Sequence, residues 1–183
     1  MTARTDLWDV ALDNYGYVTV RDATDLGIDR LTVDKLAYRG GLEHAARGVY
    51  RFPQFPTTEY DPYMLAVKWT GVPEACLSHD TALAAYDVCD INPDRIHITV
   101  PTAKRLRRRG GELYIVHYQD LACKDITWWE QIPTATLETA ISQCIDTGVP
   151  TYLLRQAITT ATDRGRLRKD AATGLGNRLE ARA

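Results

Sequence analysis

The sequence lacks the features of several large classes of protein. Across its 183 residues, no apolar run approaches the ~20 residues that a membrane-spanning helix needs. The first residues lack the basic start and the apolar stretch of a signal peptide. We therefore expect a cytoplasmic protein that keeps its thiols reduced and has no membrane partner.

Motifs for metals, nucleotides and catalysis are also missing. The four cysteines have no C-x-x-C spacing, and the chain has no glycine-rich phosphate loop of the Walker or dinucleotide kind. Ser78-His79-Asp80 contains the residue types of a catalytic triad, but consecutive helical residues do not face one another, so this segment indicates a helix start capped by Ser78. No carboxylate–lysine set typical of a nuclease is present. The sequence thus predicts no enzymatic activity, no cofactor and no metal.

Two histidines leave an alternative open. His97 lies in Ile96–Val100 and His117 in Leu113–Tyr118, and both segments are typical of strands. If these strands pair, the two imidazoles could share a metal ion. A single histidine on a strand is more often hydrogen-bonded within the protein, and we adopt that interpretation here.

Charge is unevenly distributed, although the net charge is only −2. Residues 56–100 carry 2 basic and 7 acidic groups, whereas residues 101–183 carry 13 basic and 9 acidic groups. A net charge this close to zero excludes a nucleic-acid-binding protein whose whole surface is basic, but it permits a local basic face. The asymmetry indicates either two different partners or charge scattered over the surface.

The first 55 residues have the pattern of a small helical unit with a hairpin. Apolar residues on one face predict a first helix around Leu7–Ala11. Thr19 and Asp22 have the spacing of a capping box for a second helix, and Asp29 is a good N-cap for a third. Two β-prone segments around Gly48 then predict a β-hairpin.

This order of elements is that of a winged helix-turn-helix, whose second motif helix lies in the DNA major groove. We predict such a DNA-binding domain over residues 1–55, although the same elements could form a protein-interaction module. The expected DNA contacts lie on the outer side of the third helix and at the hairpin tip: Arg30, Leu31, Thr32, Lys35, Tyr38, Arg39 and Arg47.

Residues 56–183 are predicted to form a small mixed α/β C-terminal domain, which makes the whole chain α+β. A proline-containing linker precedes a helix that Asp61 would cap and that Pro62 would begin. The predicted strands are at 96–100, 113–118 and 126–129. The next predicted helix starts at Ser78 or Pro73 and includes Leu77 and Ala82, and later helices start at about residues 135 and 150. From Arg164 onward we expect a helix end followed by disorder.

A basic run, Lys104–Arg109, has five cations in six positions between two predicted strands. It should form an exposed loop that adds phosphate contacts to the DNA-binding surface through Lys104, Arg105, Arg107, Arg108 and Arg109. Two alternatives stay open. The run could bind an acidic patch on a partner protein, or it could be a solvated loop with one or two structural arginines.

A set of short motifs occurs in a characteristic order between about residues 5 and 165. They are Gly16–Ala23, Leu26–Ile28, Leu36–Leu42, Ala46–Arg51, Leu77–Leu83, Asn92–Pro101, Arg107–Arg109 and His117–Leu121. Together they resemble the AbiEi-type antitoxins, and Ala46–Arg51 is the most specific of them. The segment Thr134–Thr139 departs from the family pattern because it lacks an expected arginine.

The resemblance implies a two-part protein. A winged helix would repress its own operon by binding inverted repeats in operator DNA, and residues 56–183 would form an antitoxin domain that neutralises a cognate nucleotidyltransferase-like toxin. Self-association on DNA is left open. The alternatives are a winged-helix nuclease targeted to DNA and a transcriptional regulator that senses a small ligand.

Overall fold

The computed structural model describes residues 2–182, and these form a mixed α+β protein. Its helices are α1 (Ala3–Leu12), α2 (Val20–Asp25), α3 (Arg30–Tyr38), α4 (Asp61–Thr70), α5 (His79–Ala85), α6 (Leu137–Thr147), α7 (Thr151–Asp163) and α8 (Lys169–Ala181). Its strands are β1 (Tyr17–Thr19), β2 (Glu43–Ala46), β3 (Val49–Arg51), β4 (Cys76–Leu77), β5 (Ile96–Val100), β6 (Tyr114–Tyr118), β7 (Ile126–Trp129) and β8 (Ile132–Ala135). None of the helices within 2–182 is both long enough and apolar enough to cross a membrane.

The chain divides into two compact units. The first takes in the described residues up to Pro73, together with Arg105–Gly111 and Glu130–Ile132. It contains α1 to α4 and an antiparallel sheet in the order β1-β3-β2. Its core is made by side chains from α1, α2, α3, the sheet and the residues that flank its strands: Leu7, Ala11, Val18, Ala23, Val33, Leu42, Tyr50 and Phe52.

Local polar signals set the starts of α2 and α3, as the sequence predicts. Thr19 and Asp22 form a complete capping box, in which the Thr19 backbone N–H donates to Asp22 Oδ2 at 2.7 Å. Asp29 Oδ1 accepts from the Thr32 backbone N–H at 2.6 Å. Each cap satisfies a helical N–H that has no partner within the helix, which fixes where the helix begins.

The structure differs from the sequence interpretation around α4. Asp61 is not the N-cap, because Tyr60 occupies that position. The Asp61 carboxylate is buried instead and pairs with Arg51 at 2.9 Å, while it also accepts from the Thr58 backbone N–H at 2.8 Å. These contacts hold α4 against β3. The first compact unit includes α4 and extends to Pro73.

The second unit is built on a five-stranded mixed sheet in the order β6-β5-β4-β8-β7. β5 pairs with β6 in parallel and with β4 in antiparallel orientation, and β4 pairs with β8 in parallel. Its hydrophobic core is supplied mainly by α5, α6, α7 and α8, through residues such as Leu83, Ile141, Leu154 and Leu179.

Two sequence predictions for this unit are wrong, and one strand was not predicted. Leu77 was expected in a helix but lies in the short strand β4, and residues 132–135 form the unpredicted strand β8 just before α6. The tail expected to be disordered forms α8 over Lys169–Ala181. Leu175 and Leu179, one helical turn apart, are buried in the core, and this burial stabilises a helix of otherwise polar composition.

Candidate nucleic-acid interface

Helix α3 has an outer face that no core residue occupies. Leu31, Lys35 and Tyr38 follow the i, i+4, i+7 spacing of one helical face. Leu31 is 61% exposed and Tyr38 is 94% exposed, whereas Val33 on the opposite face is 1% exposed. The helix is thus anchored from one side and presents a cation, an aromatic ring and an apolar side chain from the other.

The other residues of α3 that were predicted to contact DNA lie around this face and differ in their exposure and in their contacts. Arg30 is exposed and its Nε lies 3.8 Å from Asp34 Oδ2. Thr32 is half-buried beside the Asp29 cap, and Arg39 is exposed at the C-cap. The Tyr50 hydroxyl donates to Asp34 Oδ1 at 3.0 Å, which fixes the orientation of α3 against β3.

The hairpin β2–β3 places Arg47 at its exposed tip. Gly48 follows with φ +74°, a left-handed conformation that glycine adopts without strain. The Gly48 carbonyl accepts from the Val20 backbone N–H at 3.0 Å, which ties the tip to the start of α2. The tip is therefore held by backbone contacts and leaves the Arg47 side chain at the surface.

Part of the basic run returns to this same unit. Arg108 Nη1 donates to the Arg47 carbonyl at 3.0 Å, and the Arg109 carbonyl accepts from the Trp69 indole N–H at 3.1 Å. Partial burial, with the charge of Arg47 nearby, lowers the pKa of the Arg108 guanidinium. Four other cations of the run are exposed: Lys104, Arg105, Arg107 and Arg109. The structure brings Arg108 to the hairpin tip and places Lys104 in the second unit.

In the second unit the two histidines considered from the sequence do meet. Nε2 of His117 lies 3.2 Å from Nδ1 of His97. His79 stacks on His117 with 3.5 Å between ring centroids. His79 could not be predicted to join them, because a residue at a predicted helix start gives no local sign that it will meet two distant strands.

Comparison with known proteins bears on the first unit. Residues 7–53 match the family model described as "Transcriptional regulator, AbiEi antitoxin". This match confirms the resemblance over that segment. Among solved structures, the chain is similar to the Rv2827c protein from Mycobacterium tuberculosis, with 17% identity, a TM-score of 0.48 and coverage of 97% of this chain and 82% of that chain. No curated protein matches the chain.

Proposed function

We propose that this chain, whose residues 7–53 match the transcriptional-regulator domain of AbiEi antitoxins, represses its own operon and neutralises a cognate toxin. The first unit would bind inverted repeats in promoter DNA as a winged helix-turn-helix. The second would bind a nucleotidyltransferase-like toxin. Both activities are binding activities, and the proposal includes no catalytic step.

The observation that carries the DNA-binding part is the outer face of α3. A helix that follows α2 after a short turn, anchored by Val33 and exposing Lys35 and Tyr38, has the arrangement of a recognition helix. The ammonium group of Lys35 suits phosphate or base-edge acceptors, and the exposed ring of Tyr38 suits stacking or a hydroxyl contact. The hairpin β2–β3, with Arg47 at its tip, then corresponds to the wing.

The basic run would enlarge the phosphate-binding surface near that wing. Arg108 acts as its anchor, because its guanidinium is bonded to the Arg47 carbonyl. Arg107 and Arg109 flank this anchor and are exposed. Phosphate contacts of this kind position a protein on DNA and add salt dependence without selecting a sequence.

The DNA-binding part is tested by gel-shift titration on the chain's own upstream DNA and on an unrelated duplex, at several salt concentrations around 150 mM. The Lys35→Ala/Arg39→Ala variant should bind the upstream DNA at least ~10-fold more weakly, since lost contacts to bases or phosphates each cost about 1–3 kcal/mol. The Lys124→Ala/Lys169→Ala variant removes the same charge from the second unit and should bind normally. Equal, weak binding of both duplexes by the unaltered protein would refute the proposal.

The toxin-binding part is tested by co-expression with a nucleotidyltransferase encoded beside this chain. Growth should be rescued by the unaltered protein and also by the Lys35→Ala/Arg39→Ala variant, since neutralisation is assigned to the second unit. If the nucleotidyltransferase is toxic and the chain neither rescues growth nor co-purifies with it, the antitoxin assignment fails and repression is judged on the DNA experiment alone.

A further inference from the structure

Three of the four histidines of the sequence converge in the second compact unit. His79 begins α5, His97 lies in β5 and His117 lies in β6, so three separate elements supply them. In the parallel pair β5–β6, Thr99 lies beside His117. His97 and Thr99 are two residues apart on β5, so His97 and His117 project from the same face of the sheet.

The ring nitrogens have nearly the spacing of metal ligands. Each ring offers one nitrogen, and these nitrogens all lie within 4.8 Å of one another. Nε2 of His117 and Nδ1 of His97 are 3.2 Å apart. Two nitrogens bound to one tetrahedral zinc ion at 2.0–2.1 Å are themselves about 3.3 Å apart. The third ring, His79, stacks on His117 with 3.5 Å between ring centroids, so a nitrogen of each ring can face the same ion.

His79 is held in place in the way that metal-binding histidines are held. Its Nδ1 lies 2.9 Å from Ser78 Oγ, and its backbone N–H donates to Gln143 Oε1 at 3.3 Å. A partner on one ring nitrogen fixes the ring and leaves the other nitrogen for a ligand bond. The His79 backbone also has φ +49°, a left-handed conformation that is strained for residues other than glycine. Such backbone strain is concentrated at functional sites.

The electrostatic setting favours the form of imidazole that a metal binds. Burial, together with the neighbouring histidines, lowers the pKa of His79 to about 3. Burial also lowers the pKa of His117 to about 4 and that of His97 below its usual value. A lowered pKa favours the neutral imidazole, which is the form that binds a metal ion. The Asp80 carboxylate, 3.8 Å from His97 Nδ1, places negative charge beside the rings.

We propose that His79, His97 and His117 together bind one divalent transition metal ion in the second unit. Zn²⁺ fits this set best, because three imidazoles and one water complete its tetrahedral coordination. None of these three histidines is assigned to DNA binding, so metal binding can be tested independently of the repressor assignment.

The test uses the full chain without an affinity tag, stripped of metal with a chelator and then titrated with Zn²⁺ against a chromophoric competitor. The unaltered protein should bind one equivalent. The His97→Ala and His117→Ala variants should bind at least ~10–100-fold more weakly, since loss of even an outer contact to a ligand has an effect of that size. His44→Ala is the matched control, because His44 is the fourth histidine and lies exposed on β2 of the first unit.

A second measurement does not depend on how the variants fold. Addition of Zn²⁺ to the unaltered protein should shift the imidazole NMR signals of three histidines and leave that of His44 in place. Co²⁺ should give the visible absorption of a four-coordinate nitrogen–oxygen site with no band from thiolate. A thiolate band, an unshifted set of three imidazoles, or equal affinity in His44→Ala and His117→Ala would overturn the proposal.

Discussion

At the scale of single residues, substitution of Tyr38 should affect DNA binding without affecting the stability of the fold. Its side chain is 94% exposed, so folding gains almost nothing from it. We expect Tyr38→Ala to change the free energy of unfolding by no more than about 0.5 kcal/mol, as is usual for surface substitutions. The same variant should bind upstream DNA several-fold more weakly, as measured by gel shift at fixed salt.

Tyr152→Ala is the control for this prediction, because Tyr152 is a tyrosine of the second unit and is 68% exposed. It should leave DNA binding unchanged. If Tyr38→Ala and Tyr152→Ala bind DNA equally well, the Tyr38 ring does not contact the DNA.

At the scale of elements, the basic run combines two roles that single substitutions can separate. Arg108 donates to the Arg47 carbonyl, and its charged hydrogen bond supports the hairpin tip. We expect Arg108→Ala to lower the free energy of unfolding by about 1–2 kcal/mol.

The double variant Arg107→Ala/Arg109→Ala should leave the free energy of unfolding unchanged. It should reduce the slope of the logarithm of the DNA-binding constant against the logarithm of the salt concentration by up to about 2, since each phosphate contact contributes about 0.9. Urea unfolding and salt-dependent gel shifts measure the two effects, and an unchanged salt slope would favour the solvated-loop alternative.

Helix α8 gives a second prediction at this scale. Leu179 is 1% exposed within the core of the second unit, so Leu179→Ala should destabilise the protein by about 2–5 kcal/mol. Gly174 lies in the same helix, and a Cβ added there would meet no neighbouring atom within 4 Å outside the helix's own backbone. Gly174→Ala should therefore stabilise the protein by about 0.5–1 kcal/mol. Thermal unfolding of both variants tests the helix, because a disordered tail would respond to neither change.

The sequence predicts elements whose signals are local. The capping box at Thr19 and the Asp29 cap determine the starts of α2 and α3 through groups three residues apart, so they can be read without tertiary information. β4 is only two residues long and exists because β5 and β8 lie on either side of it, which no local pattern encodes. The histidine cluster is equally non-local: it depends on the parallel pairing of β5 with β6 and on where α5 begins.

At the scale of the whole molecule, buried thiol and phenol groups that stay protonated make the free energy of unfolding depend on pH in the alkaline range. Burial raises the pKa of the Cys76 thiol to about 12 and raises that of Cys144 as well. Burial likewise raises the pKa of Tyr86 to about 12, while its hydroxyl donates to the Ala135 carbonyl at 2.7 Å. In the unfolded chain these groups ionise near pH 9 for thiols and pH 10 for tyrosine. Between those values and pH 12 the folded protein holds protons that the unfolded chain has lost.

The free energy of unfolding is therefore expected to be fully maintained below about pH 9 and to fall as pH rises toward 12. Each fully buried group contributes at most about 1.4 kcal/mol per pH unit within its own window. Tyr86→Phe removes the contribution of the tyrosine, so its stability should fall less steeply above pH 10, although the lost hydrogen bond lowers its stability at pH 7 by about 1 kcal/mol. Urea unfolding from pH 8 to 10.5 gives both curves. Parallel curves for the two proteins would mean that the Tyr86 hydroxyl ionises as readily in the folded protein as in the unfolded chain, and that the contact with Ala135 does not hold its proton.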